Sequence, residues 1–387
     1  MSEAIVVIGA GLAGYGVVRA IRRINRDIKI VMVCDDSGDV YSKPQLSTVL
    51  AFGKAVDDLI QTPAQVIAEE LNISLVANTR VIDIDTEASI IATSTDGSIH
   101  YTSLVLAMGA NARKLAIQGD DTKRVLSVNS IDDYRQFHHS LGGNKRVAIL
   151  GGGLIGCEFA NDLLASGYKV SLIEPCAALL STLVPHKVSD RLEEKFIENG
   201  AQLYLGRCAS KVIEVEGQLK IVMDNNETVE ADIVLSAVGI GPNIELARSS
   251  GLKVNRGVVV DEFLRTSVPN IYAIGDCAEI GGRVMPYVAP ILAGSKALSQ
   301  TLLGDDTPVT YNAMPIAIKT TLFPLVAAPI PLGADGHWNY EEDEKGINAK
   351  FENEMGDLIG MALGGAAVKN RAVLAPRLRP LSITPPV

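Results

Sequence analysis

The pattern of apolar and polar residues along the first third of the chain predicts strands that alternate with helices. Residues 5–8 are four apolar residues that predict a buried strand, residues 15–24 predict a helix, and residues 28–33 predict a second strand. Such alternation is typical of βαβ units in a parallel sheet. Shorter alternating runs at 73–76, 79–85, 89–95 and 99–101 predict further strands and a hairpin.

The same pattern returns in the middle of the chain. Residues 145–150 predict a strand, 157–166 a helix and 169–173 the next strand. Each βαβ unit is later followed by one apolar run, at 104–110 and at 232–239, which predicts a closing strand. This repetition predicts an internal duplication of architecture.

The tail beyond residue 311 has a different pattern, with apolar strand-like runs at 314–319, 323–328, 347–351 and 358–363. We therefore predict an α/β fold with two Rossmann-like dinucleotide-binding domains and a small C-terminal α+β domain. The predicted boundaries are 1–112 with 242–312 for the first domain, 113–241 for the second and 313–387 for the third.

The amino-acid composition and charge exclude several classes of function. The 387 residues are 47% hydrophobic and 21% charged, which is typical of a globular protein with ample core. The formal net charge of −10 argues against nucleic acid and anionic membrane surfaces as partners. No uninterrupted apolar run reaches about 18 residues, so we predict no membrane span. The five scattered cysteines form no C-x-x-C pair and favour a reducing, cytoplasmic setting. We predict no metal site.

A glycine-rich turn follows the first predicted strand: Gly9-Ala10-Gly11-Leu12-Ala13-Gly14. In a dinucleotide site, the first glycine allows the tight turn, the second lets the backbone approach a pyrophosphate, and the third lets helix and strand pack closely. The helix N-terminus then directs free N–H groups at the phosphate. Asp35 lies 21 residues after Gly14, near the roughly 20-residue offset of a ribose-binding acid, and Asp36 is the neighbouring candidate.

A second glycine-rich turn follows the strand at 145–150: Gly151-Gly152-Gly153-Leu154-Ile155-Gly156. Glu174 lies 18 residues after Gly156, again near the expected offset for the acid. Two complete units imply two dinucleotides in one chain. A carboxylate at Glu174 can bond a ribose 2′-hydroxyl but repels a 2′-phosphate, and residues 175–178 offer no arginine. We therefore predict NADH rather than NADPH at the second site.

Further motifs complete the pattern. An Ala-x-Gly strand end occurs at Ala107-Met108-Gly109, a Val-Gly-x-x-Pro-Asn element spans 238–243, and Tyr-Ala-x-Gly-Asp ends at Asp276. Together with both glycine turns, this set resembles the two-dinucleotide flavoprotein oxidoreductases of the glutathione-reductase-like fold. The resemblance covers about the whole chain. Within that family, Tyr-Ser-Lys-Pro-x-Leu-Ser at 41–47 and the segment around 314–320 are most similar to the members that reduce rubredoxin.

The resemblance implies FAD as the resident cofactor at the first turn and NADH as substrate at the second. Asp35 or Asp36 would bond the FAD ribose, Asp276 would bond its ribityl and phosphate part, and the helix after Tyr287 would direct its N-terminus at the flavin. The implied cofactor-binding residues are Gly9, Ala10, Gly11, Leu12, Ala13, Gly14, Lys43, Pro44, Val81, Ala107, Met108, Gly109, Asp276 and Val288 for FAD, and Gly151, Gly153, Leu154, Ile155, Gly156, Glu174 and Gly239 for NADH. Glu158, near the nicotinamide, and Lys319, reaching the flavin ring, are the candidate catalytic residues.

The sequence departs from parts of this family. Residues 41–48 contain no cysteine, where disulfide-reducing members carry a redox-active pair, so no dithiol relay is expected. Cys157 and Cys277 are interpreted as small packing residues. Ferredoxin reductases of this fold usually carry a second lysine where Thr48 stands, which acts with an acid at the position of Glu158. Its absence weakens the case for Glu158 and disfavours ferredoxin as the acceptor.

The resemblance thus implies an NADH:rubredoxin oxidoreductase that passes electrons through FAD to a one-electron iron carrier, feeding an oxygenase such as an alkane hydroxylase. Two alternatives stay open, namely a ferredoxin reductase of an oxygenase system and a slow flavin-bound NADH sensor or interaction protein. Rubredoxin is small and typically acidic, so its docking requires a local basic patch despite the net charge of −10. The candidate patch is Lys369, Arg371, Arg377 and Arg379.

Overall fold

The structure is a computed structural model that describes residues 4–115, 117–119, 124–143, 145–331 and 333–380. The strands of its first part are β1 (Ile5–Ile8), β2 (Ile30–Val33), β3 (Val40–Tyr41), β4 (Ile60–Thr62), β5 (Ser74–Val76), β6 (Val81–Asp85), β7 (Ile90–Thr93), β8 (Ser98–His100), β9 (Ser103–Leu106) and β10 (Ala110–Ala112). The helices of this part are α1 (Leu12–Ile24) and α2 (Ala64–Glu70). Two short 3₁₀ helices, Lys43–Thr48 and Val56–Leu59, lie between β3 and β4.

The middle part continues the same alternation. Its elements are β11 (Val125–Ser127), α3 (Ile131–Ser140), β12 (Arg146–Leu150), α4 (Leu154–Ala165), β13 (Lys169–Glu174), α5 (His186–Glu198), β14 (Gln202–Leu205), β15 (Ala209–Val215), β16 (Gln218–Met223), β17 (Thr228–Ala231), β18 (Ile233–Ser236) and β19 (Ile240–Pro242). The last part contains α6 (Glu245–Ser249), β20 (Val258–Val260), β21 (Ile271–Ala273), β22 (Ala278–Ile280), α7 (Val288–Leu302), β23 (Ile316–Ile318), β24 (Leu325–Ala328), β25 (His337–Asp343), β26 (Gly346–Glu352), β27 (Leu358–Gly365) and α8 (Arg371–Leu374).

Two five-stranded parallel sheets carry the two glycine turns. The first has the order β21–β9–β1–β2–β5 and the second the order β11–β18–β12–β13–β14. In both, the closing strand pairs with the strand that precedes the glycine turn, which is the predicted duplication. The predicted fold class is confirmed. The ligand crevice of such a sheet lies outside the carboxyl ends of its strands, which is where both turns are.

The C-terminal part forms an antiparallel sheet of order β23–β24–β27–β26–β25. The sequence pattern missed β25, because its residues are largely polar and at least partly exposed, which gives no apolar alternation. Strand β21 pairs with β9, so residues from both ends of the predicted first domain share one sheet. The domain boundaries themselves stay a prediction.

The two helices at the glycine turns begin earlier than predicted. Helix α1 begins at Leu12 instead of 15, and α4 begins at Leu154 instead of 157. The third glycine of each turn is therefore already helical, and the N-caps are Gly11 and Gly153. This places the free N–H groups of the first helical turn directly at the phosphate side of each site.

Candidate active site

The first glycine turn is packed too closely for side chains at two of its three glycines. A Cβ on Gly9, whose φ is +109°, would lie 2.3 Å from the carbonyl oxygen of Ala107. A Cβ on Gly14 would lie 2.0 Å from the carbonyl oxygen of Gly9. By contrast, a Cβ on Gly11 would meet no protein atom within 4 Å. The turn therefore holds strand and helix tightly while leaving open the position at which a pyrophosphate approaches the backbone.

Other predicted FAD residues converge on this turn. A Cβ on Gly275 would lie 2.9 Å from the Cβ of Ala13, so Asp276 sits beside the turn. Lys43, at the start of its 3₁₀ helix, is close enough to Asp276 to lower the pKa of that carboxyl, although burial raises that pKa more strongly. The Oδ1 atom of Asp276 is buried and has no hydrogen-bond partner among the described residues.

This unpartnered oxygen tests whether the site fits FAD. A buried acceptor without a donor is costly, and a ribityl hydroxyl is a donor that satisfies it. A Cβ on Gly275 would also lie 3.8 Å from Cγ1 of Ile291, in the first turn of α7. The N-terminus of α7 at Val288 therefore belongs to the same region, with Tyr287 as its N-cap. The residues present fit FAD, and their individual contacts with it stay predictions.

Both ribose candidates lie at the carboxyl end of β2 and are exposed. Asp36 accepts a hydrogen bond from the N–H of Gly38 at 3.0 Å, and Asp35 pairs with Arg80 at 3.5 Å. The N–H of Thr79 donates to the carbonyl of Cys34 at 2.8 Å, which brings the segment that leads into Val81 alongside. Val81 is thus near the predicted adenosine end, as the resemblance implies. The choice between the two acids stays open.

The remaining FAD candidates, Ala107, Met108 and Gly109, follow β9. The N–H of Ala107 donates to the carbonyl of Ile8 at 2.9 Å, and the carbonyl of Gly109 accepts from the N–H of Asn243 at 3.0 Å. This short segment connects the first glycine turn with the strand that leaves the second domain. Its contact with FAD stays a prediction.

The second glycine turn repeats the first in detail. A Cβ on Gly151 would lie 2.6 Å from the carbonyl oxygen of Ala237, and one on Gly156 would lie 1.9 Å from the carbonyl oxygen of Gly151. A Cβ on Gly153 would meet nothing within 4 Å. The predicted residues Leu154 and Ile155 form the first turn of α4, and Gly239 lies just beyond β18 at the same edge.

Glu174 is held rigidly at the end of β13. One carboxylate oxygen accepts from the N–H of Gly152 at 2.5 Å, and the other accepts from the N–H of Cys176 at 2.8 Å. The carboxylate therefore lies against the second glycine turn, as a ribose-binding acid must. Its remaining lone pairs are available to the two hydroxyls of an adenosine ribose.

Glu158 is not a surface residue of α4, because its side chain is fully buried. The Oε2 atom accepts from Ser47 Oγ at 2.7 Å and pairs with Lys319 Nζ at 2.5 Å. The Oε1 atom accepts from the main-chain N–H of Lys319 at 3.0 Å. The two candidate catalytic residues are thus in direct contact, and the lysine missing at Thr48 is replaced by one from the C-terminal sheet.

Helix α4 joins three parts of the chain through one face. Asn161 contacts the C-terminal segment, since its Oδ1 accepts from the N–H of Leu322 at 2.9 Å. Asp162 accepts from the N–H groups of Leu50 at 3.1 Å and Ala51 at 2.8 Å. Burial raises the pKa of Asp162, which these two bonds oppose. Sequence reasoning missed Asn161, Asp162 and Ser47, although the i, i+3, i+4 spacing of 158, 161 and 162 was a visible signal.

Cys157 and Cys277 are fully buried, as the packing interpretation predicts. The Sγ of Cys157 donates to the carbonyl of Gly152 at 3.2 Å, and burial raises the pKa of the Cys277 thiol to about 11. Neither thiol has the exposed, acidic character of a reactive cysteine.

Residues 3–294 match the family described as pyridine nucleotide-disulphide oxidoreductase. The chain belongs to this family. Residues 308–378 of the oxidoreductase also match the rubredoxin binding C-terminal domain. The resemblance inferred from the motifs is therefore confirmed, and the expected cofactors, FAD and NADH, are those of the family.

Relatives of this oxidoreductase cover nearly all of its length. It is 42% identical to the rubredoxin-NAD(+) reductase of Alcanivorax borkumensis over 96% of this chain and 97% of that protein. It is 38% identical to the nitric oxide reductase FlRd-NAD(+) reductase of Pectobacterium atrosepticum, over 99% of this chain and all of that one. The ferredoxin reductase for the CYP199A2 system of Rhodopseudomonas palustris superimposes with a TM-score of 0.88 and 25% identity, over 97% and 95% of the two chains.

No helix in the described part of the oxidoreductase has both the length and the apolar character that a membrane crossing requires.

Proposed function

We propose that this chain is an NADH:rubredoxin oxidoreductase. The observation that carries the proposal is the combination of two fully formed dinucleotide turns with a C-terminal segment that matches the rubredoxin binding domain. The Alcanivorax relative, which carries the name rubredoxin-NAD(+) reductase, supports the same acceptor. We also propose that the reduced rubredoxin supplies electrons to an oxygenase such as an alkane hydroxylase.

Residues at different positions of the site have different proposed roles. Bound FAD supplies the chemistry of taking two electrons from NADH and releasing them singly. Gly11 and Gly153 let the two pyrophosphates approach the helix N-termini, and Asp276 anchors the flavin through its buried oxygen. The N-terminus of α7 stabilises negative charge on the flavin. Glu158 orients the Lys319 ammonium beside the segment that begins at Lys43.

The geometry also bears on the ferredoxin alternative. That alternative was disfavoured because the basic partner of Glu158 was missing at Thr48, yet Lys319 supplies it. The absence of a lysine at Thr48 therefore no longer favours rubredoxin over ferredoxin. The feature that favours rubredoxin is the match of residues 308–378 to the rubredoxin binding domain. We also propose a cytoplasmic location, supported by five unpaired cysteines of which Cys176 and Cys208 are exposed.

A small acidic acceptor would dock at what we name the C-terminal basic patch, formed by Lys369, Arg371 and Arg377. All three cations are exposed, and the side chain of Val373, which lies between them in sequence, is 68% exposed. Transient interfaces combine apolar and charged side chains, and this segment offers both. Arg379, the fourth predicted member, pairs with Asp357 and is left out of the patch.

Reversing two charges of the patch tests both the docking site and the activity. Wild-type holoenzyme should reduce rubredoxin with NADH, and Arg371→Glu/Arg377→Glu should lower the rate at least about tenfold at low salt, because electrostatic steering is lost. The difference should shrink as salt screens the charges. Reduction of ferricyanide by NADH should not change. The control Lys253→Glu/Arg256→Glu makes the same change in net charge at exposed residues of the predicted first domain. Equal loss with rubredoxin and ferricyanide would reject the docking site.

A further inference from the structure

Arg207 lies beside Glu174, although Glu174 is the last residue of β13 and Arg207 follows β14. Strands β13 and β14 are parallel, so their carboxyl ends meet at one edge of the sheet. Just past that edge, the N–H of Arg207 donates to the carbonyl of Glu174 at 3.0 Å, and the N–H of Gly206 donates to the carbonyl of Cys176 at 2.9 Å. The segment after β14 therefore forms a wall of the crevice in which Glu174 is expected to hold the adenosine ribose.

The two charged side chains at this wall, Glu174 and Arg207, differ in their partners. The Glu174 carboxylate is fixed by the N–H groups of Gly152 and Cys176. The Arg207 side chain is exposed, and its guanidinium donates to the carbonyl of Gly206 at 3.3 Å. Among the residues that the structure describes, no carboxylate forms an ion pair with Arg207. Arg207 is thus joined through its main chain to the residue that is expected to exclude NADPH, and its guanidinium has no acidic partner among the described residues.

We propose that Arg207 is a second specificity-determining residue of the nucleotide site. The proposal rests on the proposed role of the second glycine turn in binding NADH. A 2′-phosphate carries about −1.5 to −2 charges, which Glu174 repels and Arg207 attracts through its planar fork of donors. In the wild type the rigid carboxylate at the ribose prevails, so NADH is preferred. Once the charge of Glu174 is removed, Arg207 is the group that binds the 2′-phosphate.

The kinetic test uses neutralisation of the acid with and without the arginine. Glu174→Gln keeps an acceptor oxygen for Gly152 and removes the charge. It should raise kcat/KM for NADPH at least about tenfold, and Glu174→Gln/Arg207→Ala should lose most of that gain. The matched control is Glu174→Gln/Lys169→Ala. Lys169 is an exposed cation at the opposite end of β13, roughly 16 Å away. A gain that persists in the Arg207 double variant would overturn the proposal, and so would a gain lost equally in the control.

A binding measurement on the FAD-loaded protein gives a readout independent of turnover. Titration calorimetry with 2′,5′-ADP should show tighter binding to Glu174→Gln than to Glu174→Gln/Arg207→Ala, and no such difference should appear with 5′-ADP. Equal affinities for 2′,5′-ADP would reject the role of Arg207. If Glu174→Gln changes neither the KM for NADH nor the affinity for either nucleotide, the assignment of the second turn as the nucleotide site fails instead.

Discussion

Replacing Lys319 by methionine is expected to lower the free energy of unfolding by about 3 kcal/mol. The carboxylate of Glu158 is fully buried, and Lys319 is the cation that neutralises it. Methionine fills a similar volume, but among the described residues it leaves the carboxylate with Ser47 and one main-chain N–H as donors. We take the low end of the range for breaking a buried pair, because 31% of the Lys319 side chain is exposed. Chemical denaturation of the FAD-loaded protein measures the loss.

The double variant Glu158→Gln/Lys319→Met is the matched control. It removes the buried charge together with its partner, so it should regain most of the stability that the single variant loses. Both variants should slow the reduction of the flavin by NADH in anaerobic stopped-flow mixing, because both remove the Lys319 ammonium from beside the segment that begins at Lys43. A double variant as unstable as the single one would contradict a buried ion pair as the organising contact of this site.

Two alanine substitutions in the second glycine turn are expected to have different effects: Gly156→Ala should disturb packing, and Gly153→Ala should weaken NADH binding. Gly156→Ala should destabilise the second domain and slow flavin reduction by NADH roughly a hundredfold, because its Cβ would lie 1.9 Å from the carbonyl oxygen of Gly151. Gly153→Ala meets no protein atom within 4 Å, so stability should be kept. Its methyl group would instead obstruct the NADH pyrophosphate and raise the apparent Kd for NADH.

Thermal melting and the dependence of the reduction rate on NADH concentration distinguish the two variants. Both should retain FAD in gel filtration, because the first turn belongs to another sheet. If Gly153→Ala bound NADH as well as the wild type, the predicted pyrophosphate contact at the second turn would be wrong.

Local patterns were enough to predict both glycine turns and the strands and helix around each of them. The strand before each turn is a largely apolar run. The spacing of Gly9, Gly11 and Gly14 is local, so it can be recognised directly in the sequence. The offset to Glu174 likewise follows from the length of one helix and one strand. The helix starts were less accurate, because a glycine such as Gly14 reads as part of a turn while its backbone is already helical.

Contacts between distant segments could not be predicted in the same way. Glu158 has no basic partner at Thr48, where the family resemblance places one. The partner is Lys319, which becomes its neighbour only when the C-terminal sheet packs against α4. The position of Arg207 could not be predicted for the same reason. Residues 175–178, which follow Glu174 in sequence, contain no arginine, whereas Arg207 follows the adjacent strand of the sheet.

The most direct test of the proposed function is a single-turnover comparison of acceptors. The FAD-loaded protein is reduced anaerobically with one equivalent of NADH and then mixed with oxidised rubredoxin or with an oxygenase ferredoxin, and the return of flavin absorbance is followed. We predict rapid loss of absorbance with NADH and a second-order rate constant for rubredoxin at least about tenfold above that for ferredoxin. Slow reduction by NADH, or faster reoxidation by ferredoxin than by rubredoxin, would contradict the proposed function.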